Sequence, residues 1–561
     1  MRELVHDLRD TWRGLRRDRL YSVAVVGTLA LTLGASIAVF SIVNGVLLRP
    51  LGYPEPQSLV SIREILPGIH DRYPTLPVTM RHFEIWRDRA TVFTSMAAMD
   101  WRTSTLTGAG EATQVVVLRT SGTLFDVLRI PTALGRGLTR DDENRERPAV
   151  TVISDQLWRE RLGGDPAVIG RPLTLNGAQF TIVGVIPRGY SLPRLQPLGE
   201  SGSVTNDFAA IVPFRISLAR FDWMGQFNYG VVARLKPGAT VQHARAEMNV
   251  LQGAVAEIAR RETRAPAGLL AWVMPLEETI VGPVRRGLLL LLGAIGGLLL
   301  IACANLANLT LTRTIGRIRE SAVRGALGAS RWRLVRGVVV DQIVLAVAGG
   351  ALGVAVAQTA LRVFVTTAPI GLPRVQDVSI DARVLVFGAA TALLAAVAVA
   401  LVPAWRIGRG DLESVLRSRG RTSERGAVRI RSLLLTTQIA LSVMLLVVSG
   451  LFVSSLTRLL RAESGFTSEG AVTIEVAPGS TTYPDTKQRA ALYDRIYESV
   501  RPMPGVIAAA WTSALPLTGE TFVDVILRPD RPVSPDARSA NYRFISPEYF
   551  HAVGMPILQG R

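Results

Sequence analysis

Ile318 to Arg336 reads I-R-E-S-A-V-R-G-A-L-G-A-S-R-W-R-L-V-R, an arginine-studded and half-apolar stretch set between two long uncharged runs. Its position sets the fold class, because the runs on either side are too long and too apolar for a soluble domain. Nearly half of the 561 residues are hydrophobic (48%) and mean hydropathy is positive (+0.29), although the formal net charge is +18. The hydrophobicity is concentrated in Leu20 to Leu48, Gly287 to Thr312, Val338 to Leu361, Val384 to Trp405 and Ser432 to Thr457, which between them hold a single ionisable side chain charged at neutral pH, Asp341. A bilayer core asks for about 20 apolar residues per spanning helix, and lipid leaves backbone polar groups no partners outside their own segment. Five transmembrane helices follow. The first is too long for a cleaved signal peptide and lacks a cleavage site, so it reads as a retained anchor.

Positive charge next to the spans orients them, since Lys and Arg near helix ends are retained on the cytoplasmic side. Arg2, Arg9, Arg13, Arg16, Arg17 and Arg19 precede the first run, Arg313 to Arg336 separates the second and third, and an equally basic stretch from Arg406 to Arg431 precedes the fifth. The predicted order is a cytoplasmic amphipathic segment (1–19), TM1 (20–48), an external α+β core domain (49–286), TM2 (287–312), a cytoplasmic loop (313–337), TM3 (338–361), a short external loop (362–383), TM4 (384–405), a cytoplasmic linker (406–431), TM5 (432–457) and a second external segment (458–561). A basic chain can also signal nucleic acid, but these arginines flank spans and no aromatic-interleaved basic domain accompanies them, so no nucleic-acid partner is expected.

Several enzyme classes drop out. Lysine occurs only at Lys236 and Lys487, so these residues contain no G-x-x-x-x-G-K-[ST] phosphate loop. The histidines lack metal-ligand spacing and no G-x-S-x-G elbow is present, so no catalytic residue, metal or cofactor is expected. The lone Cys303 lies in the second run, which leaves the external domains without a disulfide framework. Asp141, Asp142 and Glu143 read as a solvated turn rather than a cation site.

In the external domain, H-F-E-I-W-R-D-R (His82 to Arg89) has helical spacing, Val150 to Ser154 and Gln179 to Ile186 have strand character, and Thr240 is placed to cap a helix reaching Arg261. An internal repeat is also readable. Ser121 to Arg136, S-G-T-L-F-D-V-L-R-I-P-T-A-L-G-R, matches Ser546 to Arg561, S-P-E-Y-F-H-A-V-G-M-P-I-L-Q-G-R, at its Ser, Phe, Pro, Gly and Arg. Each copy follows a span preceded by arginines. The repeat unit is therefore a span plus an external domain, and the second domain is expected to be incomplete, as in a partial reading frame.

The opening stretch itself fits a short amphipathic helix at the cytoplasmic face. Ile315, Ile318, Ala322, Val323, Ala326 and Leu327 fall on one side and Arg317, Arg324 and Arg331 on another, while Glu320 and Arg324 form an i,i+4 pair in the favoured order. Gly328 can end the helix in a left-handed conformation and Ser330 can cap the next one. From the residues alone, a basic anchor lying in the headgroups fits as well as a docking element. Within the spans, Asn305 with Asn308, and Gln438 with Ser442, are placed to hydrogen-bond across helices. Asp341 is the one intramembrane charge, with Arg336 or Arg333 as its expected partner. Gly349, Gly353 and Ala357, like Gly293 and Gly297, form small-residue faces for close packing.

R-E-S-A-V-R-G-A-L-G-A-S resembles the cytoplasmic loop of FtsX/MacB-type ABC transporter permeases, whose pattern is near R-x-x-E-[IF]-x-[IV]-R-x-A-[IL]-G-A-S. Asn305 to Arg313 (N-L-A-N-L-T-L-T-R) resembles the end of that family's second helix. L-G-R-G-L-T at Leu134, V-I-S-D-Q-L-W-R-E-R-L-G-G-D-P at Val152, V-G-V-I-P at Val183 and A-R-L-K-P-G-A-T at Ala233 resemble its periplasmic core domain. No ATPase segment precedes the first span in this sequence, and the repeated arrangement resembles the duplicated permeases abundant in acidobacteria. The resemblance implies a non-catalytic, multi-pass subunit of the bacterial inner membrane with its N-terminus in the cytoplasm. A dimeric MacB-like ATP-binding protein would be its partner, with a periplasmic membrane-fusion protein as a further one. It also implies that Arg319, Glu320, Arg324, Gly325, Gly328, Ala329 and Ser330 couple to that ATPase, so that the external domains move, for efflux or export. The competing expectation is a signalling protein that acts on a periplasmic partner without transport.

Overall fold

The computed structural model describes residues 18–66, 70, 73–195, 203–205, 207–215, 227–263, 268–316, 331–367, 373–408, 424–462, 464–467, 469–476, 478, 483, 485–517, 522–525 and 539–559. In chain order the elements begin with α1 (Arg19–Val43), β1 (Leu59–Ile65), α2 (Met80–Arg89), β2 (Phe93–Thr107), β3 (Thr113–Thr120), α3 (Leu124–Leu128) and β4 (Leu134–Gly135). Then come β5 (Val150–Ser154), α4 (Asp155–Leu162), β6 (Pro172–Leu175), β7 (Ala178–Ile186), β8 (Leu192–Arg194), β9 (Ser203–Thr205), β10 (Ala210–Pro213) and β11 (Gly230–Leu235). The remainder is α5 (Val241–Thr263), β12 (Leu270–Pro275), α6 (Leu276–Gly316), α7 (Arg331–Thr367), α8 (Ala382–Gly408), α9 (Glu424–Leu460), α10 (Thr486–Val500), β13 (Phe522–Val525), β14 (Ser539–Tyr542) and α11 (Tyr549–Ala552).

The chain divides into two units, 1–49 with 284–462, and 50–283 with 463–561. In the first, five helices among the described residues are long and apolar enough to cross a membrane: Arg19–Leu48, Leu276–Thr310, Arg336–Thr367, Ala382–Leu401 and Leu435–Leu460. The helices outrun the apolar runs because backbone hydrogen bonding continues where side chains turn polar. α6, for example, begins with Glu277 and Glu278. The centre of this unit is α1, α7 and α8, whose shared apolar core includes Val25, Leu29, Leu33, Leu345, Ala346, Ala395 and Val399, joined by Leu306 of α6.

Glycine lets these helices approach. A Cβ on Gly34 would lie 2.9 Å from the carbonyl oxygen of Gly353 and 2.9 Å from the Val356 side chain, and one on Gly349 would lie 2.6 Å from Leu29 Cβ. Between α1 and α8, Phe40 and Phe387 stack at 3.8 Å. Gly349, Gly353 and the fully buried Ala357 thus form the packing face expected of them. The other expected face differs. Gly297 only reaches Leu441 and Leu445 at 3.7 Å, and a Cβ on Gly293 would meet nothing within 4 Å.

The second unit is α+β. Its main sheet has the order β12-β1-β11-β2-β3-β10-β5-β7-β4, with β6 pairing β2 and β7. β10 runs parallel to β3 and β5 parallel to β7, while the remaining pairs are antiparallel. One core lies where α2 and α5 cover the β12-β1-β11-β2 end, around Phe83, Trp86, Met96, Val231 and Val273. The other lies around Val117, Ile153, Leu157, Trp158, Ile182 and Val185. Local chemistry sets the helix ends. The Ser154 hydroxyl accepts the Leu157 amide at 3.2 Å to start α4, and Gly163 at φ +70° ends it. Thr240 caps α5 in the same way, accepting from the His243 amide at 3.2 Å.

The Asp141, Asp142, Glu143 stretch is not a solvated turn. It is a 3-10 turn in which each carboxylate meets an arginine: Asp141 with Arg147, Glu143 with Arg87, and the buried Asp142 with Arg136. Arg136 grips Asp142 with two hydrogen bonds of 2.7 and 2.9 Å, and the Thr139 amide adds a third at 2.8 Å. Burial alone would raise the Asp142 carboxyl, but Arg136 and Thr139 outweigh it and hold it below the ordinary aspartate value of 3.8. A depressed carboxylate stabilises fully above its unfolded value and loses that contribution as pH falls through its folded value. Acid unfolding of the full chain below about pH 4 should therefore be shallower in Asp142→Asn than in the parent, as followed by tryptophan fluorescence. Identical acid limbs in the two proteins would contradict the assignment.

The internal repeat has a shared local structure. The Ser121 hydroxyl accepts the Ala98 amide at 2.9 Å while its own amide donates to the Ala98 carbonyl at 3.0 Å. Ser546 does the same to Trp511 at 3.1 and 3.0 Å. Eight residues on, both copies turn left-handed, at Arg129 (φ +52°) and Gly554 (φ +65°).

Candidate functional site

Arg319, Glu320, Arg324, Gly325, Gly328, Ala329 and Ser330 lie outside the described residues, between the end of α6 at Gly316 and the start of α7 at Arg331. What is described is how the α6 end of that loop is fastened. The inward row of α6 is Leu299, Cys303, Leu306, Thr310 and Arg313, spaced three or four residues apart along one helical face. Asn305 falls off this face and is exposed, and Asn308 is half-buried with its Oδ1 lacking a hydrogen-bond partner. Among the described residues, no hydrogen bond from these asparagine side chains to another helix is seen. Gln438 Oε1 likewise has no partner, and Arg333, one of the two arginines expected beside Asp341, lies outside the residues whose side chains are described.

The polar contacts that do join helices were not singled out by sequence pattern. The Thr310 hydroxyl donates to the Leu306 carbonyl at 2.8 Å, so its oxygen is left to accept the Tyr21 hydroxyl at 2.9 Å. Tyr21 in turn accepts from Gln342 Nε2 at 3.3 Å, and Gln342, the neighbour of Asp341, is buried. The Arg313 guanidinium lies over the Tyr21 ring at 4.3 Å, and its Nε donates to Asp18 Oδ2 at 3.1 Å. Asp18 also starts α1, since its carbonyl accepts the Ser22 amide at 3.1 Å.

Three helices, α1, α6 and α7, thus meet in one clasp, whose Arg313 lies one turn from the loop. Ion pairing in a half-buried site and a cation over an aromatic face together contribute about 1–2 kcal/mol. Arg313→Ala should lower the detergent-solubilised chain's stability by that amount. Tyr21→Phe, which loses only the hydroxyl, should cost about 1 kcal/mol. Equal melting of Arg313→Ala and the parent would remove the clasp from the account. Sequence could have flagged it only through an aspartate and a tyrosine three residues apart at the start of an apolar run.

The chain is thus a multi-span membrane protein with an α+β domain between its first and second spans. Residues 22–251 match the MacB-like periplasmic core domain and residues 292–412 the FtsX-like permease C-terminal domain. It thus carries a MacB-like periplasmic core domain and an FtsX-like permease domain in that order. It is 24% identical over 239 residues to a macrolide export ATP-binding/permease protein MacB of Bdellovibrio bacteriovorus, covering 41% of this chain and 34% of that protein. It is 24% identical over 254 residues to a pyoverdine export ATP-binding/permease protein PvdT of Pseudomonas putida, covering 44% and 36%. The matched segment thus spans about a third of the length of these curated relatives. Among solved structures, the periplasmic region of MacB from Actinobacillus actinomycetemcomitans matches with 11% identity and a TM-score of 0.29 over 44% of this chain and 94% of that one. The extracellular domain of the transporter YknZ from Gram-positive bacteria matches with 12% identity and a TM-score of 0.26 over 38% and 99%.

Proposed function

We propose that this chain is the permease part of an FtsX/MacB-type ABC transporter of the bacterial inner membrane, with its N-terminus in the cytoplasm. ATP hydrolysis is supplied outside these residues, by a MacB-like ATP-binding dimer docked on the loop from Arg319 to Ser330. The observation that carries this reading is the clasp of Arg313 and Thr310 on Asp18 and Tyr21. A push on the loop reaches α6 and α7 and, through the clasp, the first span, whose outer end continues into the MacB-like core domain. Asn305, Asn308 and Asp341 are secondary to this path. Arg319, Glu320 and Arg324 supply charge for docking, while Gly325, Gly328 and Ala329 allow close approach and a turn. The resulting motion of the periplasmic core drives efflux or export, in the manner named for MacB and PvdT, with a membrane-fusion protein as the periplasmic partner. Gly328→Val tests the turn: insertion and ATP turnover by the complex should persist while ATP-driven motion of the core domain is lost. Unchanged motion would remove the hinge, and an inserted protein that binds no ATPase would favour the signalling role.

A further inference from the structure

The outer end of the first span carries a second, unrelated set of contacts. After Val43 the helix widens into a π-helical turn, Asn44–Leu48, closed by the Arg49 amide donating to the Asn44 carbonyl at 2.8 Å. π-turns are uncommon and gather at functional sites. Carbonyls at such a helix end lack intrahelical partners, and here one side chain takes them. Arg374, in the turn between α7 and α8, donates from Nη1 to the Arg49 carbonyl at 2.6 Å and to the Val46 carbonyl at 3.3 Å. Its Nε donates to Asp377 Oδ2 at 3.0 Å. The side chain is 2% exposed and the residue sits at φ +60°, a conformation that a non-glycine residue keeps only where its surroundings over-determine it.

Neighbouring groups lock the same joint. Asn44 Nδ2 donates to Asp381 Oδ2 at 3.0 Å, and the other Asp381 oxygen accepts the Val384 amide at 3.0 Å, starting α8. Arg49 Nη1 reaches the Asp377 carbonyl at 3.4 Å. Gly45 allows the approach, because a Cβ there would lie 3.0 Å from that same carbonyl oxygen. The contacts therefore converge on the last five residues of the first span's helix, Asn44–Leu48, and on Arg49, where the chain leaves for the core domain.

We infer that Arg374 is a positioning residue that ties the α7–α8 turn to the exit of the first span, so that α1, α7 and α8 deliver their motion to the chain at Arg49 as one body. This rests on the coupling function proposed above. The inner clasp passes motion into this body and the Arg374 clasp passes it out. A buried guanidinium that holds two main-chain carbonyls through Nη1 and a carboxylate through Nε suits that role because its planar donors fix direction as well as distance.

The test uses the full chain, with Cys303 replaced by alanine, in nanodiscs with its MacB-like ATP-binding protein. In Arg374→Ala, amide hydrogen exchange over residues 44–49 should accelerate tenfold or more while exchange in the middle of α1 is unchanged. The ATP–vanadate-driven distance change between spin labels at Glu111→Cys and Arg362→Cys should be lost, with ATP turnover retained. Arg374→Lys should restore at most part of both. Adding Asn44→Cys and Asp381→Cys to the unlabelled Arg374→Ala protein should restore coupling when oxidised and lose it when reduced, read by protease protection of the core domain, which a general folding defect would not reproduce. Unchanged exchange at 44–49, or a retained label-distance change in Arg374→Ala, would overturn the inference and leave the proposed function standing. Absence of any ATP-driven change in the parent protein would instead overturn the proposed function, and the inference with it.

Discussion

Glu64→Ala is expected to destabilise the core domain by about 3–5 kcal/mol, the range for removing one partner from a buried charged network. Glu64, His82, Trp86 and Gln252 are all fully buried. Glu64 Oε1 lies 2.7 Å from His82 Nδ1 and accepts from Gln252 Nε2 at 2.6 Å, while Gln252 Oε1 accepts from Trp86 Nε1 at 3.1 Å. These bonds join β1, α2 and α5, the elements that build the first of the two cores. Alanine leaves His82 and Gln252 without their partner and opens a void between them, and both effects destabilise. For a domain of this size the melting temperature should fall by about 6–20 °C, read in the full chain by tryptophan fluorescence. Glu64→Gln keeps the volume and one acceptor oxygen and should lose clearly less. A loss below about 1 kcal/mol in Glu64→Ala would show that the network is not cohesive.

The second large effect is expected at the glycine notch. Gly353→Leu places a Cβ 3.1 Å from the Gly34 amide nitrogen and 3.2 Å from the Ala30 carbonyl oxygen, and Gly34→Leu meets backbone and Val356 at 2.9 Å. These neighbours are helix backbone and a β-branched side chain, which cannot swing aside, so α1 and α7 must separate. Overpacking of this kind costs about 1–3 kcal/mol, and separation of the helices would lose the apolar contacts around Leu33 and Leu345 as well. Gly293→Leu, which adds a side chain where nothing lies within 4 Å, is the matched control and should melt with the parent. Equal melting of all three in detergent would mean that α1 and α7 are not held by this face.

Which parts of this were legible in the sequence follows from how local each signal is. The five long helices show as runs of apolar residues, and the cap at Thr240 sits beside the helix it starts. Gly349, Gly353 and Ala357 were readable because their spacing alone puts them on one face. The clasps were not, since Tyr21 and Thr310 lie 289 residues apart, and Arg374 and Arg49 lie 325 apart. No local pattern announces such pairs. Asn305 and Asn308 misled for a related reason. Helical spacing shows that two residues share a face but not which face meets a partner, and α6 turns Leu306 and Thr310 inward instead. Asp142 reads as surface in an acidic triplet, whereas it is buried because Arg136, inside the repeated motif, reaches it.

The central claim is that the loop between α6 and α7 receives the work of a separate ATPase. The most direct measurement is vanadate-sensitive ATP hydrolysis by a co-purified MacB-like ATP-binding protein, with the full chain intact and with residues 319–330 replaced by a glycine–serine linker of equal length. Stimulation that depends on the loop is the predicted result. Equal hydrolysis with either form, or co-purification with no ATP-binding protein at all, would contradict it and leave the arginine-rich stretch a basic membrane anchor.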